Sequence, residues 1–265
     1  MRPAGILCDL EGTLYSADAP LPGAVEFVPR LRALAIPFRF VTNTTSRSRR
    51  SLVARLAAMG IEVAPGEIVS APVAAAALLR ARGHTVVAPF LADAVLEDLD
   101  GIALQGGTAA PGTDRPTAVL LGDIGDRWSY ALLQEAYQYL QAGAELVACS
   151  RDRLYRREGR LVLDVGPFVA ALEYASGASA LLAGKPSPAM YRAALDALQL
   201  PPADHARVLM IGDDMHSDIA GAREAGLTAW AVETGKFSAA EATRAGVVPD
   251  RIIPGLPTLL AELDG

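Results

Sequence analysis

The chain has 265 residues, 51% of them hydrophobic and 20% charged, with a formal net charge of −6. That length and composition suit one large domain or two modest ones with real cores, and the acidic balance gives no footing to a nucleic-acid or anionic-membrane surface. Two cysteines, Cys8 and Cys149, exclude a disulfide framework and a Cys/His metal site. No apolar run reaches the roughly 18 residues that a spanning helix needs, and the N-terminal residues turn acidic at Asp9 too early for a secretory leader. The expectation is a cytoplasmic protein with neither nucleic acid nor membrane as partner.

Short apolar runs and helical patterns alternate along the chain. Gly5–Asp9 and Pro37–Thr42 read as buried parallel strands that end in a polar residue. Ser46 is placed to cap a helix reaching Met59 and stopped by Gly60. Next come a helical stretch at Ala74–Arg82, a strand at Thr85–Pro89, a surface loop over Gly106–Pro116 and a strand at Ala118–Leu121. A helix over Ser129–Ala142, strands at Glu145–Cys149 and Leu161–Asp164, and a helix over Pro167–Ser176 follow. Ser187-Pro188 opens another helix with proline at its first position. Val208–Gly212 and Thr228–Val232 are strands flanking a helix from about Ser217 to Ala225, which Gly226 ends. The pattern predicts an α/β fold: a Rossmann-like, mostly parallel sheet formed by 1–72 and 181–265, with 73–180 inserted as a second α/β unit.

Three stretches at predicted strand ends carry chemistry, where open α/β sheets place ligands. Asp9-Leu10-Glu11-Gly12-Thr13-Leu14 brings a carboxylate out of a strand just before a glycine turn, suited to a nucleophile, a metal ligand or a plain Asx turn. Val41-Thr42-Asn43-Thr44-Thr45-Ser46 offers hydroxyls and an amide ahead of a helix start, as an oxyanion cradle or as helix caps. Gly184-Lys185-Pro186 and Ile211-Gly212-Asp213-Asp214-Met215-His216-Ser217-Asp218 supply a lysine and hard oxygen ligands. Lysine occurs only at 185 and 236, against 22 arginines. The question is what a compact ammonium does there that a guanidinium cannot.

In order and spacing these stretches resemble the four motifs of the haloacid dehalogenase superfamily along nearly the whole chain. The insertion resembles the superfamily's class IIA cap. Gly122-Asp123, Trp128-Ser129-Tyr130, Ala142–Ala148 and Gly166–Tyr174 are similar to the branch that contains the phospholysine phosphohistidine inorganic pyrophosphate phosphatase. The resemblance implies a Mg²⁺-dependent phosphatase acting on a small phosphorylated substrate, a phosphomonoester or phosphoramidate, through an aspartyl-phosphate on Asp9. By resemblance the metal is held by Asp9, the Glu11 backbone carbonyl and Asp213, while Asp214 and Asp218 support the site from behind. Thr42 and the adjacent loop amides bind the transferring group, Lys185 offsets its charge, and Asn43 together with Gly166 and Pro167 of the cap contacts substrate. A homodimer through the cap is also implied.

Glu11 departs from the pattern, which has aspartate there as general acid and base. The added methylene lengthens the arm by about 1 Å, and misplacement on that scale costs roughly a hundredfold. General acid–base catalysis is worth about 10²–10⁴. Its loss leaves a slow phosphatase, most competent on good leaving groups, or in the extreme a phosphate-binding protein without turnover.

Overall fold

The computed structural model describes residues 2–157 and 159–264. They form two compact units. The first comprises the chain up to Thr42, Arg49–Val69 and the chain from Lys185 onward; the second comprises Asn43–Ser48 and Ser70–Gly184. Residues 43–48 thus group with the second unit rather than with the strand they follow.

The first unit holds a six-stranded sheet in the order Arg251–Ile253, Thr228–Val232, Val208–Gly212, Gly5–Asp9, Phe38–Thr42, Ile68–Ser70. The pairings among the first five strands are parallel, with Cys8 opposite Ile211 and Asp9 opposite Val41. Gly5–Asp9 and Val208–Gly212 are buried along their whole lengths, which is why they read as unbroken apolar runs instead of alternating ones. Their carboxyl ends, with that of Phe38–Thr42, deliver Asp9, Gly212 and Thr42 to one edge of the sheet. On one face, Phe27, Val28 and Leu31 of the helix Ala24–Ala33 pack with Phe40, Ile61, Leu256 and Leu259.

Two helices depart from expectation. The one placed from Ser46 to Met59 runs Arg49–Ala58. Ser46 Oγ lies 3.5 Å from Thr44 Oγ1 instead of capping it, and Gly60, with φ of 80°, turns the chain just past its end. The helix expected over Ser217–Ala225 begins as a wide π turn, Met215–Ala220, and continues as the single α turn Gly221–Glu224. By contrast Ser187 accepts the Ala189 N–H at 3.2 Å and opens Pro188–Leu198 as the sequence indicates.

The second unit is built on a five-stranded sheet in the order Leu181–Leu182, Glu145–Ala148, Ala118–Leu121, Val86–Phe90, Ala103–Leu104, every neighbouring pair parallel. Helices Tyr130–Gln141 and Gly166–Ser176 cover it through Leu140, Val169 and Leu172. The strand expected at Leu161–Asp164 is one arm of an antiparallel hairpin, Leu154–Arg157 with Arg160–Leu163. Trp128 stacks between Phe90, at 6.1 Å, and Phe168, at 4.4 Å. Among the described residues no helix is long and apolar enough to cross a membrane.

Phe27 is fully buried at the centre of the first core. Phe27→Ala is expected to cost about 3–5 kcal/mol, read as a fall in the denaturation midpoint followed by Trp230 fluorescence. A change under about 1 kcal/mol would show that this core collapses around the gap.

Candidate active site

Lys185 is the centre of the site. Its side chain is 3% exposed, and Nζ donates to Asp9 Oδ1 at 2.5 Å, Asp218 Oδ1 at 2.7 Å and Val41 O at 3.2 Å. An ammonium has three donors, and these oxygens match them in number. Asp9 arrives on the central strand, Asp218 on the π turn and Val41 one residue before the buried Thr42.

Asp213 follows directly on Val208–Gly212 and sits between two glycines. A Cβ on Gly12, where φ is 92°, would stand 2.2 Å from Asp213 Oδ2, and one on Gly235, with φ of 62°, would stand 2.1 Å from it. Only glycine fits either place. Lys236 donates its backbone N–H to Asp213 Oδ2 at 2.6 Å, and Thr234 Oγ1 donates to Gly12 O at 2.5 Å, tying the two loops together. A Cβ on Gly212 would fall 2.2 Å from Asp218 Oδ2, so its absence lets Asp218 tuck in and accept the Asp214 N–H at 3.1 Å.

Asp214 faces the other way. Its Oδ1 accepts the N–H groups of His216 and Ser217 at 3.0 and 2.9 Å, capping the π turn, and its Oδ2 meets Lys236 Nζ at 3.3 Å. Burial pushes Asp214 up, but the Ser217 amide, the Lys236 charge and the His216 amide outweigh it and hold the carboxyl below the usual range.

Asp9, Asp213 and Asp218 each bring an oxygen within 4.8 Å of the others. Burial raises all three, Asp213 to about 6 and Asp218 to about 7. Burial also works against the charge on Lys185, yet Asp218 and Asp9 hold it well above its ordinary value. Three buried carboxylates thus face one ammonium. The remaining excess of negative charge, on hard oxygens, suits a divalent cation. The bonds divide the labour, since both Asp218 oxygens are engaged, by Lys185 and by the Asp214 amide. Asp9 meets Lys185 through Oδ1, and Asp213 meets Lys236 through Oδ2. Asp9 and Asp213 are therefore the pair suited to hold a cation.

The Glu11 carboxylate is not brought into this group. Its side chain is 57% exposed, with Oε2 4.0 Å from Arg55 Nη1, and Oε1 accepts the Ala17 N–H at 3.0 Å. Arg55 also pairs with Asp18 at 3.1 Å, donates to the Ala17 carbonyl and lies 4.6 Å from the Tyr15 ring centre. Glu11 and Arg55 thus grip the short hairpin of Tyr15–Ser16 and Ala19–Pro20.

Of the other residues singled out from sequence, Asn43 lies in the second unit, its Oδ1 2.7 Å from where a Cβ on Gly184 would sit. Gly166 and Pro167 open the helix Gly166–Ser176 in that unit. A Cβ on Gly166 would come within 2.5 Å of the Arg151 and Asp152 carbonyls, so close packing requires this glycine. Lys236 is the residue that the sequence left without a role, although its standing as one of two lysines was the available signal.

A haloacid dehalogenase-like hydrolase model matches residues 6–105, and a HAD-hydrolase-like model matches residues 182–259. The chain belongs to the haloacid dehalogenase superfamily. Haloacid dehalogenase-like hydrolase domain-containing protein 2 of Rattus norvegicus is 39% identical over 238 residues, 89% of this chain and 86% of that protein. Human phospholysine phosphohistidine inorganic pyrophosphate phosphatase is 33% identical over 260 residues, 95% of this chain and 91% of that protein. Among solved structures, a glycerol phosphate phosphatase from Mycobacterium tuberculosis in complex with magnesium superposes with a TM-score of 0.83 at 31% identity, over 97% of this chain and 76% of that one. This superfamily member is a class IIA hydrolase of the phosphatase type.

The raised carboxyls have a consequence for stability. A carboxyl whose folded pKa is raised makes the folded state bind more protons than the unfolded one, so stability from this source falls as pH climbs from the unfolded value to the folded one. For Asp213 that window runs from about 4 to about 6. In chelator, Asp213→Asn is expected to gain stability relative to the parent chain across that window and to keep the gain above it, as read from melting temperatures. A difference flat in pH would show that Asp213 is not raised.

Proposed function

We propose that this hydrolase cleaves a small phosphomonoester or phosphoramidate in two steps through Asp9. An Asp9 carboxylate oxygen attacks phosphorus as the P–O or P–N bond breaks, and water then attacks the aspartyl-phosphate, releasing phosphate and restoring the carboxylate. The observation that carries this reading is Lys185 Nζ bridging Asp9 Oδ1 and Asp218 Oδ1 within a buried, over-acidic group. Lys185 orients Asp9 and offsets charge on the transferring group, while Asp218 orients Lys185. Thr42 binds the phosphoryl oxygens, and Asn43, Gly166 and Pro167 contact the substrate.

Mg²⁺ is the cation of this reading, held by Asp9, Asp213 and the Glu11 backbone carbonyl, with Asp214 bracing the loop. When bound it would neutralise charge on the phosphoryl oxygens. The related glycerol phosphate phosphatase, solved with magnesium and with calcium, supports a divalent ion. A homodimer formed through the second unit is part of the proposal, supported by the exposed Tyr130, Leu161, Leu163 and Tyr174 on that unit.

Glu11 can serve as acid and base only by leaving Ala17 and Arg55. Substrates with good leaving groups need it least. The same observation favours a second reading, phosphate binding without turnover, and phosphate release decides between the two. Release from a panel of sugar, nucleotide, aryl and phosphoramidate substrates is expected to require Mg²⁺ and to fall to the buffer blank in Asp9→Asn. Release by Asp9→Asn at the parent rate would remove the covalent mechanism, and no release by the parent chain on any substrate would leave the binding reading. Glu11→Ala is expected to cost about 10²–10⁴ on alkyl phosphates and under about tenfold on aryl phosphates. Equal losses on both would take the acid–base role from Glu11.

A further inference from the structure

The loop that follows the strand Thr228–Val232 meets the acidic cluster at three points, all within the first unit. Thr234 Oγ1 donates to Gly12 O, the Lys236 N–H donates to Asp213 Oδ2 at 2.6 Å, and Lys236 Nζ lies 3.3 Å from Asp214 Oδ2. Three segments far apart in sequence are thus joined: the turn after Asp9, the acidic loop and this one. The loop is itself anchored from behind, since Glu233 donates its N–H to Ile253 O at 3.0 Å on the edge strand. Gly235 allows the close approach. Its φ is 62°, and a Cβ there would stand 2.7 Å from Gly12 Cα besides striking the Asp213 carboxylate. Gly12 and Gly235 both close on the same oxygen, Asp213 Oδ2.

The three contacts differ in weight. The Lys236 side chain is 69% exposed, and an exposed ion pair contributes little. The amide bond is the stronger one, because it joins an N–H to a buried carboxylate, and bonds to a charged acceptor are about twice as strong as neutral ones. A backbone donor has no rotamers, so the loop alone sets its direction. A carboxylate can turn about its Cβ–Cγ bond. The amide on Oδ2, with the two glycines closing on that oxygen, fixes this turn for Asp213. Lys185 does the same for Asp9. Both members of the cation pair are therefore oriented in advance, and such outer partners govern how well ligands hold a metal. The effect differs between ions. Mg²⁺ demands near-ideal octahedral geometry, whereas Ca²⁺ accepts a larger and more flexible shell. A rigid pair of oxygens serves the first, and a loosened pair still serves the second.

We propose that Thr234, Gly235 and Lys236 are positioning residues that hold Asp213, through the Lys236 amide, in the orientation that selects Mg²⁺ over Ca²⁺. This rests on the reading in which Asp9 and Asp213 hold the cation. The Lys236 ammonium is not needed for it.

Calorimetric titration of the full chain, first freed of metal by chelator, with MgCl₂ and separately with CaCl₂ gives the affinity for each ion. Thr234→Val removes the bond to Gly12, and Gly235→Ala sets a methyl group against Asp213. Each is expected to weaken Mg²⁺ by about 10- to 100-fold and Ca²⁺ far less, so that the Mg²⁺-to-Ca²⁺ affinity ratio falls about tenfold or more. Thr234→Ser keeps the hydroxyl and is expected to keep the parent ratio. Lys236→Gln keeps the amide and removes only the charge, so it is expected to move both ions alike and leave the ratio unchanged. Melting temperatures in chelator show which variants fold, and Thr234→Val against Thr234→Ser carries the test if Gly235→Ala does not. The Lys236 amide proton resonance in chelator reads the bond without metal, and it is expected to move upfield in Thr234→Val and to stay in Thr234→Ser. A ratio unchanged in both loop variants, or one that falls as far in Lys236→Gln, overturns the positioning role. Asp213→Asn tests the reading beneath it. Mg²⁺ bound by Asp213→Asn as tightly as by the parent chain, or bound by neither, overturns the cation pair and the selectivity with it. Mg²⁺ lost in Asp213→Asn but kept in both loop variants overturns the positioning role alone.

Discussion

The ammonium of Lys185, fixed between Asp9 and Asp218, is the interaction on which the site depends. A buried ion pair is not in itself a source of stability, because desolvation offsets most of the Coulombic gain, but removing one partner strands the others at a cost of about 3–5 kcal/mol. Here the arrangement goes further, since one cation serves a group that also contains Asp213. The group is over-acidic by construction, and its neighbours are shaped to accept that. Glycines at 12, 212 and 235 leave the space that two carboxylates fill, and the π turn at Met215–Ala220 places Asp218 against Lys185 while Asp214 caps the turn from outside.

The parallel strands were legible because burial on both faces writes them as continuous apolar runs, each ending at its polar residue. That punctuation marks Asp9, Thr42 and Asp213 as polar residues at strand ends, and rarity marks Lys185, without giving any of them a role. The family motifs then supplied an order that no single stretch could. What was not legible has common physical causes. Glu11 and Asp9 are two residues apart in one loop, which suggests a shared face, yet Glu11 is drawn outward by Ala17 and Arg55. The hairpin that receives it has strands of two residues, too short to show any period. Lys236 acts on Asp213 through a backbone amide, and a side-chain pattern carries no trace of that. Ser46 looked like a helix cap, but its hydroxyl sits by Thr44 and the helix starts three residues later, at Arg49.

Both units use the same rule of construction, a parallel sheet whose strands end at one edge. In the first, the carboxyl ends of parallel strands bring acids together around one lysine. In the second, the segments that follow the two strands flanking the switch point carry Asp93, which pairs with Arg127, and Asp123, whose Oδ1 accepts the Gly125 N–H. The segment 43–48 follows the first sheet's Thr42 in sequence and packs with the second unit. Within it, Thr45 Oγ1 accepts the Asp123 N–H.

The distribution of lysine has a practical side. Lys185 is sealed at 3% exposure, whereas Lys236 is 69% exposed, its ammonium resting on Asp214 while its amide holds Asp213. Apart from the α-amino group, an acylating fluorophore finds one reachable amine on this chain, a few ångströms from the acidic cluster. The protein thus comes with a single-residue handle for an optical reporter beside its acidic cluster, with no cysteine engineering and no background of competing surface lysines.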